Sequence, residues 1–242
     1  MAKPAKKVVK KPVAKKKVVK PKKPATSTSS SNDKQRFTLH GSNMSGPTYA
    51  AALMLSLSRH PFSYIHVNLR EGQHKQPDYL VKNRYGQVPA LRDGQTFLVQ
   101  SAAILEHLSE NLKKFDGKSP LEKIRIREWL FWQWDKLAVP VLRLRARNRG
   151  FRQFGDEIRT MYDTEAKAAL AVIEHELAKS DWIVGKKPTI ADIGIYAVVR
   201  YAPEALIDLT PYPNVSAWKK RIEALPGFGT PEQILPMESR LL

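Results

Sequence analysis

The side chains able to do chemistry in this 242-residue chain are defined first by an omission. Cysteine is absent, which excludes a cysteine nucleophile, thiolate metal sites and disulfides. Six histidines are scattered without metal-ligand spacing, so no metal is expected. Ser101 follows a short apolar run and precedes Ala-Ala-Ile-Leu-Glu-His-Leu. It is the expected N-cap of a helix. Such a helix start presents free N–H groups and a positive dipole end, which suit a carboxylate. Upstream, Pro89 opens a short strand. It cannot donate to a ladder and belongs at a strand start or edge. If the Val88–Pro89 bond is cis, the Val88 backbone turns outward and can pair with an extended peptide, as in strand addition. Arg143, Arg145, Arg147, Arg149 and Arg152 form a cluster in which Arg143 and Arg147 share a helix face. That face is either simply solvated or able to meet an anionic substrate or a phosphate.

The elements that must hold these residues are readable in outline. Two apolar runs, 88–91 and 96–99, flank Arg92-Asp93-Gly94-Gln95, and Asp-Gly between apolar runs predicts a hairpin. Before it come a strand over 36–41, a helix with Pro47 near its start and His60-Pro61 at its end, an alternating strand over 64–69, and a short helix over 77–82. This order is that of an α/β thioredoxin-like domain. After it the pattern is all-helical: a long helix over 120–149 kinked at Pro140, a second over 155–180, and a last over 212–225. The first carries Trp129, Phe131, Trp132 and Trp134, which serve as core or line an apolar site. Thr189 and Asp192 have capping-box spacing, with Pro188 before them. The organisation is therefore a tail and linker over 1–31, an α/β domain over 35–111, a helical domain over 120–228, and an unassigned extension over 229–242.

The net charge of +18 is unevenly placed. Residues 1–25 carry eleven lysines and no acid, so only +7 belongs to the rest. The tail is nearly a duplicated unit, and its self-repelling lysines with Pro4, Pro12, Pro21 and Pro24 predict disorder. Thr26 to Ser31 is a flexible linker. An apolar signal core is lacking, and lysine without arginine does not fit a mitochondrial presequence. No apolar run approaches the ~20 residues of a membrane span. The tail resembles the lysine-alanine-proline tails of linker histones and histone-like bacterial proteins. That implies loose, sequence-independent contact with DNA, RNA or another polyanion, against the alternative of a solubilising extension. A cytoplasmic protein is expected, with nucleoid or nuclear association possible through the tail.

Val88-Pro89-Ala90-Leu91, a hairpin, and then Gln100-Ser101 at a helix start together resemble the glutathione-binding half of a cytosolic glutathione transferase. The resemblance runs from about Arg36 to Phe228, and the capping box matches a folding motif of the family's helical domain. It implies glutathione as co-substrate and a homodimer. Val88, between Gln87 and Pro89, would pair through its backbone with the cysteinyl unit, and Ser101 would hold the γ-glutamyl carboxylate. His74 and Lys75 would reach the glycyl carboxylate. Met44-Ser45-Gly46-Pro47 resembles the serine-type motif of theta-like members, which makes Ser45 the thiol-activating residue, Ser42 its rival and Tyr49 packing. A free thiol titrates near about 8.5, and a hydroxyl donor beside a helix N-terminus lowers that value. Trp132, Arg143 and Arg147 are candidates for an electrophile site. One departure stands out: Gln100 occupies the place where the family usually has an acid for the glutathione α-ammonium. The reaction implied is conjugation of glutathione to small hydrophobic electrophiles. Peroxide or disulfide reduction on the same scaffold, or a non-catalytic binding module, are the alternatives.

Overall fold

Alternation in the first segment places Phe37 and Leu39 on one face of a strand, β1 (Phe37–Gly41), and both are fully buried. The computed structural model describes Met1 and residues 36–242; the expectations for the 1–31 tail and linker fall outside the described residues. After β1 come α1 (Gly46–Leu57), β2 (Ser63–His66), a 3-10 turn over Gln73–Lys75, α2 (Pro77–Leu80), β3 (Ala90–Asp93), β4 (Thr96–Val99) and α3 (Ser101–Leu112). The four strands form one sheet in the order β2-β1-β3-β4. β1 runs parallel to β2 and antiparallel to β3, with Leu39 opposite both Tyr64 and Leu91. Asp93 pairs with Thr96, which leaves Gly94-Gln95 as a two-residue turn. Gly94 has φ +59°, a value that glycine adopts without steric cost.

The helical half consists of α4 (Pro120–Trp132), a π-helical segment (Gln133–Ala138), α5 (Val139–Asn148), α6 (Asp156–Leu177), α7 (Ile190–Val199), α8 (Pro213–Glu223) and α9 (Pro231–Ile234). The long helix expected over 120–149 is thus split. The split lies just before Pro140, whose ring nitrogen cannot donate to the preceding turn, and a π-helical segment accommodates the lost bond. The capping box at α7 forms as expected. Asp192 is fully buried and accepts from the N–H groups of Ile183 and Thr189, the Thr189 hydroxyl and Trp218 Nε1. Burial raises its pKa, and those four donors oppose the rise.

One apolar core runs through both halves, joining Leu53 and Ile104 to Ile195 and Val198. The segment after α9, unassigned from sequence, returns to the sheet. Arg240 and Tyr64 exchange backbone hydrogen bonds of 2.7 and 2.6 Å. The chain thereby covers part of the open edge of β2, which would otherwise offer unpaired donors and acceptors.

Candidate functional site

Residues from three separate segments meet in a cleft of about 600 Å³: His74, Lys75, Gln87, Val88, Pro89, Gln100 and Ser101 all line it. The Val88–Pro89 bond is cis, and the strand begins at Ala90, one residue later than the sequence suggests. Neither the N–H nor the C=O of Val88 has a partner among the described residues. The loop is held from behind. Asn83 Nδ2 donates to the Gln87 carbonyl (2.6 Å) and the Pro89 carbonyl (3.2 Å), while its Oδ1 accepts from Tyr85 N–H (3.0 Å). Tyr79 Oη adds a 2.8 Å bond to the Gln87 carbonyl. Asn83 is buried, and sequence reasoning missed it. An asparagine entering a polar loop carries no signal until the loop folds back over it.

The helix start differs by one residue from expectation. Gln100, not Ser101, is the N-cap of α3, and Ser101 is its first helical residue. The first intrahelical bond runs from Ile104 N–H to the Gln100 carbonyl, which leaves the N–H groups of Ser101 to Ala103 free at the cleft end. Gln100 has φ +69° and ψ 115°, a strained conformation for a residue with a Cβ. The cleft lining contains lysine and arginine but no carboxylate. Burial, and then the charge of Lys75, lower the pKa of His74, so its ring is neutral at pH 7. Its Nδ1 is buried without a partner among the described residues.

Ser45 lines an adjoining cleft of about 400 Å³, which shares Pro47, Leu69, His74 and Arg152 with the first. As N-cap of α1 it accepts Thr48 N–H through its Oγ at 3.2 Å, leaving its own proton free to donate. Ser42 is buried, its Oγ accepts from Met44 N–H at 3.4 Å, and it lines neither cleft. Tyr49 is fully buried and donates to the Gly229 carbonyl. The helical half fixes the loop before Ser45. Arg145 Nη1 donates to the Met44 carbonyl (2.5 Å), and Tyr201 Oη to that of Asn43 (3.4 Å). The Arg145 guanidinium stacks 3.7 Å above the Tyr201 ring and pairs with Glu204 at 2.8 Å. Gly46 lets α1 approach α7 closely here, since a Cβ would stand 3.0 Å from the Ala197 carbonyl.

The residues expected at an electrophile site line neither of these two clefts. Trp132 lines a separate cavity of about 420 Å³ with Asp135, Lys136 and Glu165. Arg143 lines neither cleft, and Arg147 donates to the Phe154 carbonyl and to Asp156. At 3.6 residues per turn, Leu142, Arg145, Ala146 and Arg149 form one stripe of the helical path, and Arg143 with Arg147 falls roughly 120° away. It is the first stripe that lines the second cleft. No group of three or more His, Asp or Glu side chains placed to hold a metal occurs among the described residues.

Comparison with known proteins agrees with this architecture. The family model for the glutathione S-transferase N-terminal domain matches residues 37–110, and that for the C-terminal domain matches residues 153–226. A probable glutathione S-transferase, GSTF2, from Oryza sativa subsp. japonica is 30% identical over 78% of this chain and 92% of its own length. The disulfide-bond oxidoreductase YfcG of Escherichia coli is 28% identical over 73% of this chain and 86% of its own. A crystal structure of a glutathione S-transferase from Xanthobacter autotrophicus superposes with a TM-score of 0.75 at 33% identity, covering 83% of this chain and 98% of that one. The chain belongs to the glutathione S-transferase family.

Proposed function

We propose that the chain is a theta-like, serine-type glutathione transferase that joins glutathione, bound in the first cleft, to a small electrophile in the second. What carries it is Ser45, on the wall of the second cleft and beside residues common to both, with its hydroxyl proton unused. Glutathione lies extended along the cis-proline loop, its cysteinyl backbone paired with the free N–H and C=O of Val88. Its γ-glutamyl carboxylate sits at the exposed N–H groups of α3 beside Ser101, and its glycyl carboxylate near His74 and Lys75. Ser45 then donates to the thiolate. Because Thr48 N–H already donates to the same oxygen, the hydroxyl is polarised toward stronger donation. The thiol proton leaves to solvent and the thiolate sulfur attacks the electrophilic carbon. Ser45→Ala, assayed with an electrophile panel, tests this directly.

A second reading is favoured by the similarity to YfcG, named as a disulfide-bond oxidoreductase. In that case the thiolate attacks a disulfide sulfur rather than carbon, a second glutathione completes the reduction, and glutathione disulfide is released. Parallel assays with aryl halides and a glutathione mixed disulfide separate the two. The assembly we propose is a homodimer in the cytoplasm. Its lysine-rich residues 1–25 supply a separate contact to DNA, RNA or another polyanion.

A further inference from the structure

The second cleft has more positive charge in its walls than conjugation of a neutral hydrophobic compound requires. Arg145, Arg149 and Arg152 line it, and no carboxylate does. Arg145 and Arg149 both pair with Glu204 Oε2, at 2.8 and 2.7 Å, so one negative charge answers two positive ones. Burial alone would raise the Glu204 carboxyl, but the two arginines hold it below the usual carboxylate range. Glu204 therefore stays ionised between the two guanidinium groups. Arg152 is different again. Its backbone N–H is tied to the Ala146 carbonyl at 3.2 Å, yet its guanidinium has no hydrogen bond or ion pair among the described residues. It lines both clefts and so stands where glutathione and a second substrate would meet. The same cleft has apolar lining from Leu142, Ala146, Phe151 and Pro47.

We propose that the second substrate is an anionic electrophile, an apolar body carrying a carboxylate, with Arg152 and Arg149 as the residues that select it. This rests on the transferase reading and narrows it. The carboxylate meets the guanidinium of Arg152, the body lies on Leu142 and Phe151, and the electrophilic carbon faces the sulfur activated by Ser45. For an aryl chloride, the thiolate sulfur forms the C–S bond, the C–Cl bond breaks, and chloride leaves with the bonding pair. The thiol proton has already passed to solvent, so atoms and charge balance without any further reactant.

The test is calorimetry on the full-length protein with two conjugates, S-(2,4-dinitrophenyl)glutathione and S-(4-carboxy-2,6-dinitrophenyl)glutathione. The wild type should bind the carboxylated conjugate about tenfold more tightly, the size of one hydrogen-bonded ion pair. In Arg152→Gln the ratio of the two affinities should fall toward one, while Arg152→Lys keeps part of it. Equal affinities in the wild type would overturn the proposal. So would an unchanged ratio in Arg152→Gln, because Arg152 would then serve glutathione alone. Turnover of 1-chloro-2,4-dinitrobenzene, measured alongside, reports on the transferase reading by itself. A preserved binding preference without turnover would reject conjugation and leave the charge selectivity standing.

Discussion

Gln100 combines two costs at one position: a backbone at φ +69° and a neutral side chain in a cleft whose lining holds no carboxylate. The strain places the amide beside the start of α3, where an α-ammonium would sit when its carboxylate meets Ser101. Charge-assisted hydrogen bonds are roughly twice as strong as neutral ones. Gln100→Glu should therefore tighten glutathione binding, by about fivefold for ~1 kcal/mol gained. Calorimetry on the two proteins measures it, and weaker binding by the glutamate variant would mean that an acid from outside this cleft already meets the ammonium. At this scale the sequence was informative about residue types and less so about backbone. Ser101 was recognisable as the start of a helix because serine before an apolar run is a capping pattern. That it is the first helical residue, one past the cap, depends on the φ of Gln100, which no side-chain pattern encodes.

At the scale of elements, the cis-proline loop is only as ordered as what stands behind it. Asn83 satisfies two loop carbonyls with one amide nitrogen, and Tyr79 adds a third bond. Asn83→Ala removes both amide bonds, leaving the buried Pro89 carbonyl without this donor and the Gln87 carbonyl with Tyr79 alone, each lost bond worth about 1 kcal/mol. We expect the KM for glutathione to rise about tenfold, with a smaller change in kcat, because Ser45 is held by other contacts. Steady-state kinetics at varied glutathione decides it, and an unchanged KM would show that Tyr79 suffices. The hairpin, the first helix and the capping box were legible in the sequence because each depends on neighbours in the chain. The arginine cluster was legible as composition, but not as geometry. Which stripe of α5 faces Ser45 is set by the rotation of the helix against α6 and α7, a tertiary fact. Hence Arg145, Arg149 and Arg152 line the second cleft, and Arg143 and Arg147 do not. Asn83 was invisible for the same reason, since its partners lie four and six residues on and meet it only when the loop turns back.

At the scale of the whole molecule, charge is unevenly placed. The described part carries the clefts, while residues 1–25 hold eleven of the chain's lysines. Lysines along such a segment should release counterions from duplex DNA, with a slope of log K against log salt of about −0.9 per phosphate neutralised. Five to eight simultaneous contacts are a plausible load and give a slope of roughly −4 to −7. Deleting residues 1–31 should remove most of that binding and leave transferase turnover intact. Fluorescence anisotropy in a salt titration checks this. Equal binding by both proteins would shift the contact to the folded surface and its arginines. The C-terminal return to β2 belongs to this scale too. It joins positions 64 and 240, so nothing local in the last segment could announce it.

The central claim is that Ser45 activates glutathione, and the most direct measurement is the pH titration of thiolate absorbance for glutathione bound to the wild type and to Ser45→Ala. One hydrogen bond to a charged partner is worth about 1.5–3 kcal/mol. The variant should therefore show a bound-thiol pKa raised by about 1–2 units toward the free value near 8.5. Turnover at neutral pH should fall tenfold or more, with glutathione affinity little altered because its backbone and carboxylate contacts lie at Val88 and Ser101. The same pKa and the same turnover in both proteins would contradict the account, remove Ser45 from the mechanism and turn attention to Ser42.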